Sequence, residues 1–283
     1  MEVKTYFDQS TSTFTHLVWD SSFKQAAIID PVLDFNYSSG STGTCSADSV
    51  INDIKQLDLS LQYILETHAH ADHLSAAPYL KQQCGGQTGI GAKIPAVQDV
   101  FKSVFNMTDL PTDGSQFDLL LGEGDSLALG KLSIKVLETP GHTPACVSYH
   151  IDDTLFIGDT FLAPSYGTAR ADFPGGDASI LYQSLKRFLS FPDETRLFLC
   201  HDYPEEGVAP QSVCTVADQR NNVHLQGSGA DAFIEMRKTR DAQLEMPVLI
   251  LPAIQVNIRA GQLPAPEDNG VAYLKIPLNQ IGQ

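Results

Sequence analysis

Long apolar runs and paired cysteines are both missing from this chain, and each absence limits what the protein can be. No stretch of about 18 apolar residues occurs, so no membrane-spanning helix is predicted. No apolar segment follows Met1, so no secretory signal is expected. The five cysteines are scattered and form no C-x-x-C pair. They favour reduced thiols in a cytoplasmic protein over a disulfide framework.

Positive charge is also scarce. Lysine and arginine number 18 against 34 aspartates and glutamates, which gives a formal net charge of −16. Such an acidic chain lacks the basic surface that nucleic-acid binding requires. Apolar residues make up 42% of the 283 residues, which is ordinary for a globular protein. We find no linker rich in Pro or Gly. We therefore predict one domain over residues 1–283, with its core at about 10–205 and an extension at 206–283 that completes the second half.

Short apolar segments alternate with helical patterns, as expected for a layered α/β fold. Strands are predicted at residues 14–19, 25–29, 61–65, 127–136 (a hairpin), 147–157 (a second hairpin) and 196–200. Helices are predicted at residues 46–57, 74–83, 97–105 and 179–189, with Ile180 on the apolar face of the last one. Residues 35–47 are rich in Ser, Gly and Thr, and we predict a long loop there.

The densest polar cluster follows the predicted strand at residues 61–65. It reads Thr67-His68-Ala69-His70-Ala71-Asp72-His73. Burying so many polar groups is costly without a partner, and imidazole and carboxylate are ligands of divalent metals. Residues two apart in an extended backbone point the same way, so His68 and His70 are expected to face one site. Asp72 and His73 are placed at the start of the next helix.

Three further residues of ligand type follow other predicted strands, namely His142, Asp159 and His201. Functional side chains at successive strand ends converge at one edge of an α/β sheet. We therefore predict that these three residues join the histidine-rich cluster in one metal site. The other histidines, and the two cysteines nearest the ligands, are interpreted as hydrogen-bonded or core residues: His16, His150, His224, Cys146 and Cys200.

The order T-H-x-H-x-D-H, T-P-G-H-T, G-D-T and a strand ending in histidine resembles the metallo-β-lactamase superfamily over residues 10–205. The resemblance implies a four-layer αββα sandwich of two similar halves, with the metal site at one edge of the sheets. Arg170-Ala171-Asp172-Phe173 resembles the R-x-D-F segment of persulfide dioxygenases, the sulfur dioxygenases of the ethylmalonic-encephalopathy protein family. His201-Asp202-Tyr203 resembles the H-D-Y of that family.

This resemblance implies an enzyme that oxidises a thiol persulfide with O2 to sulfite and the free thiol. Glutathione persulfide is the expected substrate. His68, His142 and Asp159 would form the catalytic centre and hold one Fe(II) per chain. Four residues would orient these ligands or bind a second metal: His70, Asp72, His73 and His201. Three would contact the substrate, the arginines because they grip carboxylates in a bidentate fork: Arg170, Tyr203 and Arg220.

Several alternatives remain open at this level. The same seven ligands suit a glyoxalase II-like hydrolase of thioesters or lactones with two Zn²⁺. A non-catalytic redox sensor or sulfur carrier would also bind metal. Arg170 and Arg220 are each compatible with a surface ion pair, and Tyr203 with packing beside His201. A small-molecule persulfide and O2 are the expected partners, without nucleic acid or membrane, and a homodimer is the default assembly for an enzyme of this size.

Overall fold

A computed structural model describes residues 1–227 and 229–281 of the chain. The strands in this part are Glu2–Asp8 (β1), Thr13–Trp19 (β2), Gln25–Ile29 (β3), Val32–Asn36 (β4), Ser41–Gly43 (β5), Ser60–Leu65 (β6), Leu74–Ser75 (β7), Gln87–Gly91 (β8), Leu119–Leu121 (β9), Ser126–Leu129 (β10), Leu132–Glu138 (β11), Val147–Ile151 (β12), Thr154–Phe156 (β13), Arg196–Phe198 (β14) and Val213–Thr215 (β15). The α-helices are Cys45–Gln56 (α1), Ala77–Cys84 (α2), Ile94–Val104 (α3), Ala178–Phe188 (α4), Val216–Gln219 (α5), Gly229–Asp241 (α6) and Ile250–Asn257 (α7), and Val223–Leu225 forms a 3₁₀ turn.

Two six-stranded sheets form the centre of the molecule. The first has the order β1-β2-β3-β6-β8-β9 and the second β10-β11-β12-β13-β14-β15. In the first sheet β3, β6, β8 and β9 run parallel, and in the second β13 and β14 do. A small third sheet joins β5, β4 and β7. The N-terminal strand β1, which the sequence analysis did not predict, pairs along its whole length with β2.

The alternation of side chains along β2 and β3 explains the layers. Val18 and Ile29 face the second sheet and belong to the core between the sheets. Leu17 and Ile28 face the opposite way and pack against α1 and α2. Because successive residues of a strand point to opposite faces, strands that are apolar at every position must be covered on both sides.

The second sheet repeats this arrangement. Phe156 of β13 faces the core between the sheets, whereas Leu155 and Ile157 pack against α4 and α6. The order of layers is therefore helices, sheet, sheet, helices. The predicted four-layer αββα sandwich is confirmed.

The segment at residues 35–47, predicted as a long loop, is mostly regular. β4 and β5 form a hairpin in which Asp34 pairs with Gly43, and α1 begins at Cys45. The Asp34 carboxylate accepts a hydrogen bond from the Cys45 N–H at 2.7 Å. This hydrogen bond joins residues eleven positions apart. The composition of the segment therefore did not predict the hairpin or its contact with the helix.

The helix predicted to start at residue 74 begins instead at Ala77, so Asp72 and His73 do not lie at a helix start. They belong to an irregular segment before β7. Leu74 and Ser75 are drawn into the sheet because they pair with β4. Pro78 occupies the first turn of α2, where its missing N–H costs no helical hydrogen bond.

The apolar face of α4 differs from the prediction at one position. Ile180 is 44% exposed. The helix starts at Ala178, where the carboxylate of Asp177 caps it by accepting from the N–H groups of Ser179 and Ile180. This start turns Ile180 towards solvent and leaves a buried face of four larger side chains: Leu181, Ser184, Leu185 and Phe188.

The C-terminal extension contacts both halves, and we expected it to complete the second. β15 joins the second sheet and α6 packs on α4. In contrast, α7 packs against β7 and α3 of the first half. Seven of its eight residues are buried, so it needs cover on nearly every side. Among the described residues, no helix has the length and apolar character needed to cross a bilayer.

Candidate metal centre

The loops at one edge of the two sheets bring the predicted ligands together. His68 follows β6, His142 follows β11 and Asp159 follows β13. The Nε2 atoms of His68 and His142 each lie 3.7 Å from Oδ2 of Asp159. Nε2 of His201 lies 3.3 Å from Oδ1 of Asp159 and 3.3 Å from Oδ2 of Asp72. Two imidazoles and one carboxylate thus form one group of potential ligands, and Asp159 connects it to a second.

His70 and His73 lie directly beside this group. The ring centroids of His68 and His70 are 4.0 Å apart, and those of His70 and His73 are 4.1 Å apart. The possible ligand atoms of His70, Asp72 and His73 lie within 4.8 Å of one another. The structure therefore brings together all seven residues that the sequence pattern singled out as ligands.

Several buried atoms of the cluster lack a hydrogen-bond partner in the described part of the chain. They include Nε2 of His68, Nδ1 of His70, Nε2 of His73, Oδ1 of Asp159 and Nε2 of His201. An unpaired buried polar group costs about 1–3 kcal/mol. So many such atoms converging in one place, all on nitrogen and oxygen ligands of divalent metals, fit a metal ion.

Backbone carbonyls orient two of these imidazoles. Nδ1 of His142 donates to the Arg170 carbonyl at 2.8 Å, and Nδ1 of His201 donates to the Ser12 carbonyl at 3.1 Å. Because a carbonyl oxygen only accepts, each Nδ1 carries the proton. Each Nε2 faces Asp159 and is the atom that would bind a metal ion. A second hydrogen bond of this kind fixes both the ring orientation and the tautomer of a metal ligand.

Asp30, which the sequence analysis missed, supports the histidine loop from below. Its carboxylate accepts hydrogen bonds from the N–H and hydroxyl of Thr67 at 2.7 and 2.9 Å, and from Nε2 of His70 at 3.0 Å. The backbone of Asp30 is left-handed, with a φ of 53°. Thr67 in turn accepts from Nδ1 of His68 at 3.0 Å. The only signal for Asp30 in the sequence was its position at the end of a predicted strand.

Glu66 and Asn257 also hold this loop and were not predicted as site residues. Glu66 is buried and accepts a hydrogen bond from the Ser75 hydroxyl at 2.5 Å. Burial, together with the nearby Asp30, raises the pKa of Glu66 well above its usual value. The side-chain amide of Asn257 donates to the carbonyls of His70 and His73 at 2.8 and 2.7 Å. Helix α7 of the C-terminal extension therefore fixes the loop that carries four of the ligands.

The protonation states of the cluster suit a metal. Burial lowers the pKa of His68 and His70 well below the usual value, so both rings are neutral. Burial raises the pKa of Asp159, but the neighbouring His201, His68 and His142 more than offset it, and the pKa is lowered. Neutral imidazoles and an anionic carboxylate are the forms in which these side chains bind metal ions.

A cavity of about 630 Å³ opens onto the cluster. His142, Asp159 and His201 form its floor, and Arg170 and Tyr203 line its wall. The ring of Tyr203 stacks 6.1 Å from that of His201. The volume lies within the range of small-molecule sites. Two of the three residues predicted to contact the substrate are thus beside the cluster.

Arg170 is held in place by its neighbours. Its Nε and Nη2 donate to the carboxylate of Asp172 at 2.6 and 2.8 Å, and Nη1 donates to the Glu245 carbonyl at 2.7 Å. The guanidinium carbon Cζ lies 4.9 Å from the centroid of the Phe173 ring. The Phe173 ring packs edge-on against the His142 ring, with 5.2 Å between their centroids. The R-x-D-F segment is thus in direct contact with a candidate metal ligand.

Arg220 lies away from the cluster, unlike the other predicted substrate residues. It forms an ion pair with Asp193 at 2.7 Å and lines a separate groove. Its side chain is 46% exposed. The structure therefore corresponds to the surface ion pair that the sequence left open. Residues that the sequence analysis did not assign to the substrate line the cavity instead: His224, Arg237 and Arg240.

Comparison with known proteins places the chain in a family. A family model described as the metallo-beta-lactamase superfamily matches residues 11–201, and the chain belongs to this superfamily. A probable metallo-hydrolase of Burkholderia pseudomallei is 53% identical, over 99% of this chain and 100% of that protein. Glyoxylase B2 of Dictyostelium discoideum is 45% identical, over 100% and 98%.

Other similar proteins bear the name ETHE1. The mitochondrial persulfide dioxygenase ETHE1 of Mus musculus is 30% identical, over 92% of this chain and 88% of that protein. The crystal structure of ETHE1 from Myxococcus xanthus is 31% identical, covers 93% of this chain and 100% of its own, and superposes with a TM-score of 0.74. The predicted superfamily and the predicted resemblance to persulfide dioxygenases are confirmed. The chain is thus a member of a metal-binding enzyme superfamily.

Proposed function

We propose that this protein is an iron-dependent persulfide dioxygenase acting on glutathione persulfide. One persulfide, one O2 and one water give sulfite, glutathione and two protons. The terminal sulfur loses four electrons to O2, and its bond to the glutathione sulfur breaks. The observation that supports this best is the contact of the R-x-D-F segment with His142, through the Arg170 carbonyl and the Phe173 ring.

In this proposal His68, His142 and Asp159 hold one Fe(II). Two imidazoles and one carboxylate leave other metal positions open towards the cavity. When bound, Fe(II) supplies the redox chemistry that allows O2 to react with a sulfur anion. The protein positions the two reactants next to each other, which makes their reaction effectively intramolecular.

The cavity walls have their own tasks. Phe173 and Tyr203 cover His142 and His201 with aromatic surface. Arg170 has five N–H donors, of which three are used by Asp172 and Glu245. The two that remain are available for a substrate carboxylate. Its pKa is raised by Asp172, so it stays cationic.

A hydrolase with two Zn²⁺ is the second candidate. It is favoured by the group of His70, Asp72 and His73, whose possible ligand atoms lie within 4.8 Å of one another beside the first group. His201 lies next to Asp72 and would add a fourth ligand. The hydrolase-type names of two similar proteins agree with it. In that case Asp159 would bridge the two sites, and a thioester or lactone would be the substrate.

Metal reconstitution distinguishes the two candidates. Metal-free protein is loaded anaerobically with either one Fe(II) or two Zn²⁺ per chain, and metal content is measured. We expect the iron form to consume O2 on addition of glutathione persulfide and to release one sulfite per O2. His68→Ala should lose both the iron and this activity. An iron-loaded protein that consumes no O2, together with a zinc form that hydrolyses thioesters or lactones, would establish the second candidate.

A further inference from the structure

One arginine of this acidic protein has no acidic partner among the residues that the structure describes. The chain has seven arginines, and six form ion pairs with a carboxylate: Arg170, Arg187, Arg196, Arg220, Arg237 and Arg259. The seventh, Arg240, has neither an ion pair nor a side-chain hydrogen bond with any residue in 1–227 or 229–281. With carboxylates so abundant in this chain, an arginine without one is unusual.

Arg240 also lines the cavity that opens onto the metal cluster. It lies in the last turn of α6, three residues after Arg237, and residues three apart share a helix face. Arg237 is fully buried and paired with Asp241, whereas Arg240 is exposed. Leu244 and Val248 line the cavity nearby and are 40% and 79% exposed. The cavity mouth thus combines apolar surface with one unpaired cation.

Each of the other two arginines of the cavity already has a carboxylate partner. Arg237 pairs with Asp241 and donates to the Thr168 carbonyl at 3.0 Å, and Arg170 is held by Asp172. The chain as a whole repels anions, with its net charge of −16. An anionic substrate therefore needs a local cation at the entrance, and an unpaired guanidinium binds a carboxylate in a bidentate fork.

We propose that Arg240 is a specificity-determining residue that binds a carboxylate of the thiol carrying the substrate sulfur. The sulfur end lies at the metal cluster and the carboxylate lies at the cavity mouth. This inference rests on the proposed function for the identity of the thiol. It assigns to Arg240 the substrate contact that the sequence analysis assigned to Arg220. Thiols without a carboxylate are selected against.

The test compares glutathione with its diethyl ester, which lacks both carboxylates. Titration calorimetry measures Kd for both thiols, and O2 uptake measures KM and kcat for their persulfides. The variants are Arg240→Gln and, as matched control, Arg196→Gln, which removes an exposed arginine at the start of β14, the end of that strand away from His201. Metal content and melting temperature are recorded for each variant.

We expect Arg240→Gln to raise Kd and KM for the glutathione compounds about tenfold, the low end for charge-assisted bonds because Arg240 is exposed. Its kcat should stay within about twofold of the wild type. For the diester compounds Arg240→Gln should match the wild type, and Arg196→Gln should match it throughout. The proposal would be overturned if Arg240→Gln raised Kd and KM equally for the glutathione and the diester compounds, or raised them for neither. An Arg240-dependent Kd for glutathione without O2 uptake by the wild type would refute only the proposed function.

Discussion

The buried ion pair between Arg237 and Asp241 gives the sharpest prediction for stability. The side chains are 1% and 4% exposed, and Nη2 of Arg237 lies 2.6 Å from Oδ1 of Asp241. Oδ2 of Asp241 also accepts the Ala171 N–H at 2.9 Å. Ala171 follows Arg170, whose carbonyl orients His142. The pair therefore connects α6 to the segment that supports a candidate metal ligand.

Asp241→Ala removes one half of this pair and leaves a buried guanidinium without its counter-ion. Breaking a buried pair in this way costs about 3–5 kcal/mol, part of which comes from the unpaired Ala171 N–H. For a chain of this size each kcal/mol lowers Tm by about 2–4 °C. We therefore expect Tm to fall by about 10 °C. The metal affinity should fall as well, because the support of His142 is lost.

Scanning calorimetry of the metal-free protein checks this value. Asp193→Ala is the matched control, since Asp193 pairs with Arg220 at the surface and is 62% exposed. An exposed pair contributes about 0–1 kcal/mol, so this control should shift Tm by no more than about 3 °C. The double variant Arg237→Leu with Asp241→Leu should be more stable than Asp241→Ala, because it leaves no unpaired charge. Equal Tm losses in Asp241→Ala and Asp193→Ala would refute the reasoning.

Two further predictions concern a buried histidine and a glycine. Burial lowers the pKa of His16 to about 4, so the unfolded chain binds a proton between about pH 6.5 and pH 4 that the folded chain does not. The contribution of His16 to the free energy of unfolding is therefore constant above about pH 6.5. It decreases by about 3 kcal/mol as the pH falls to about 4. Urea titrations from pH 7 to pH 4 should show a smaller decrease in the free energy of unfolding for His16→Gln than for the wild type. The same dependence on pH in both proteins would contradict this. Gly158 has a φ of 52°, and a Cβ there would lie 2.6 Å from Oγ1 of Thr67. Since Thr67 contacts His68, Gly158→Ala should bind the metal ion at least about tenfold more weakly, measured by chelator competition. Gly124→Ala, also left-handed but with open space around its Cβ, should keep the wild-type metal affinity.

The sequence alone singled out the candidate ligands because their signal is local. Four of them lie within six positions of the chain: His68, His70, Asp72 and His73. Burying so many polar groups is unfavourable unless they bind a common partner such as a metal ion. The layered fold followed from apolar segments of strand length that alternate with helical periodicity. Candidate ligands that are concentrated in short motifs can be recognised from the sequence alone.

The structure differs from what the sequence pattern suggested where distant segments decide the outcome. Ser75 joins a strand because β4 lies beside it, and Ile180 faces solvent because Asp177 caps the helix. Neither effect changes the local pattern. Arg220 had a suitable position in the sequence, but its side chain is directed to Asp193. The direction of a long side chain depends on the elements packed around it.

The sequence by itself determined the superfamily, the order of the layers and the set of possible metal ligands. Only the tertiary structure decided which atoms support them: Asp30 beneath His70, and Asn257 across the histidine loop from a helix 187 residues away. It also decided that Arg240, at the cavity, is the arginine without a carboxylate partner in residues 1–227 and 229–281. Hydrogen bonds and ion pairs between distant residues have no period along the chain. They exist only once folding has brought their partners within bonding distance.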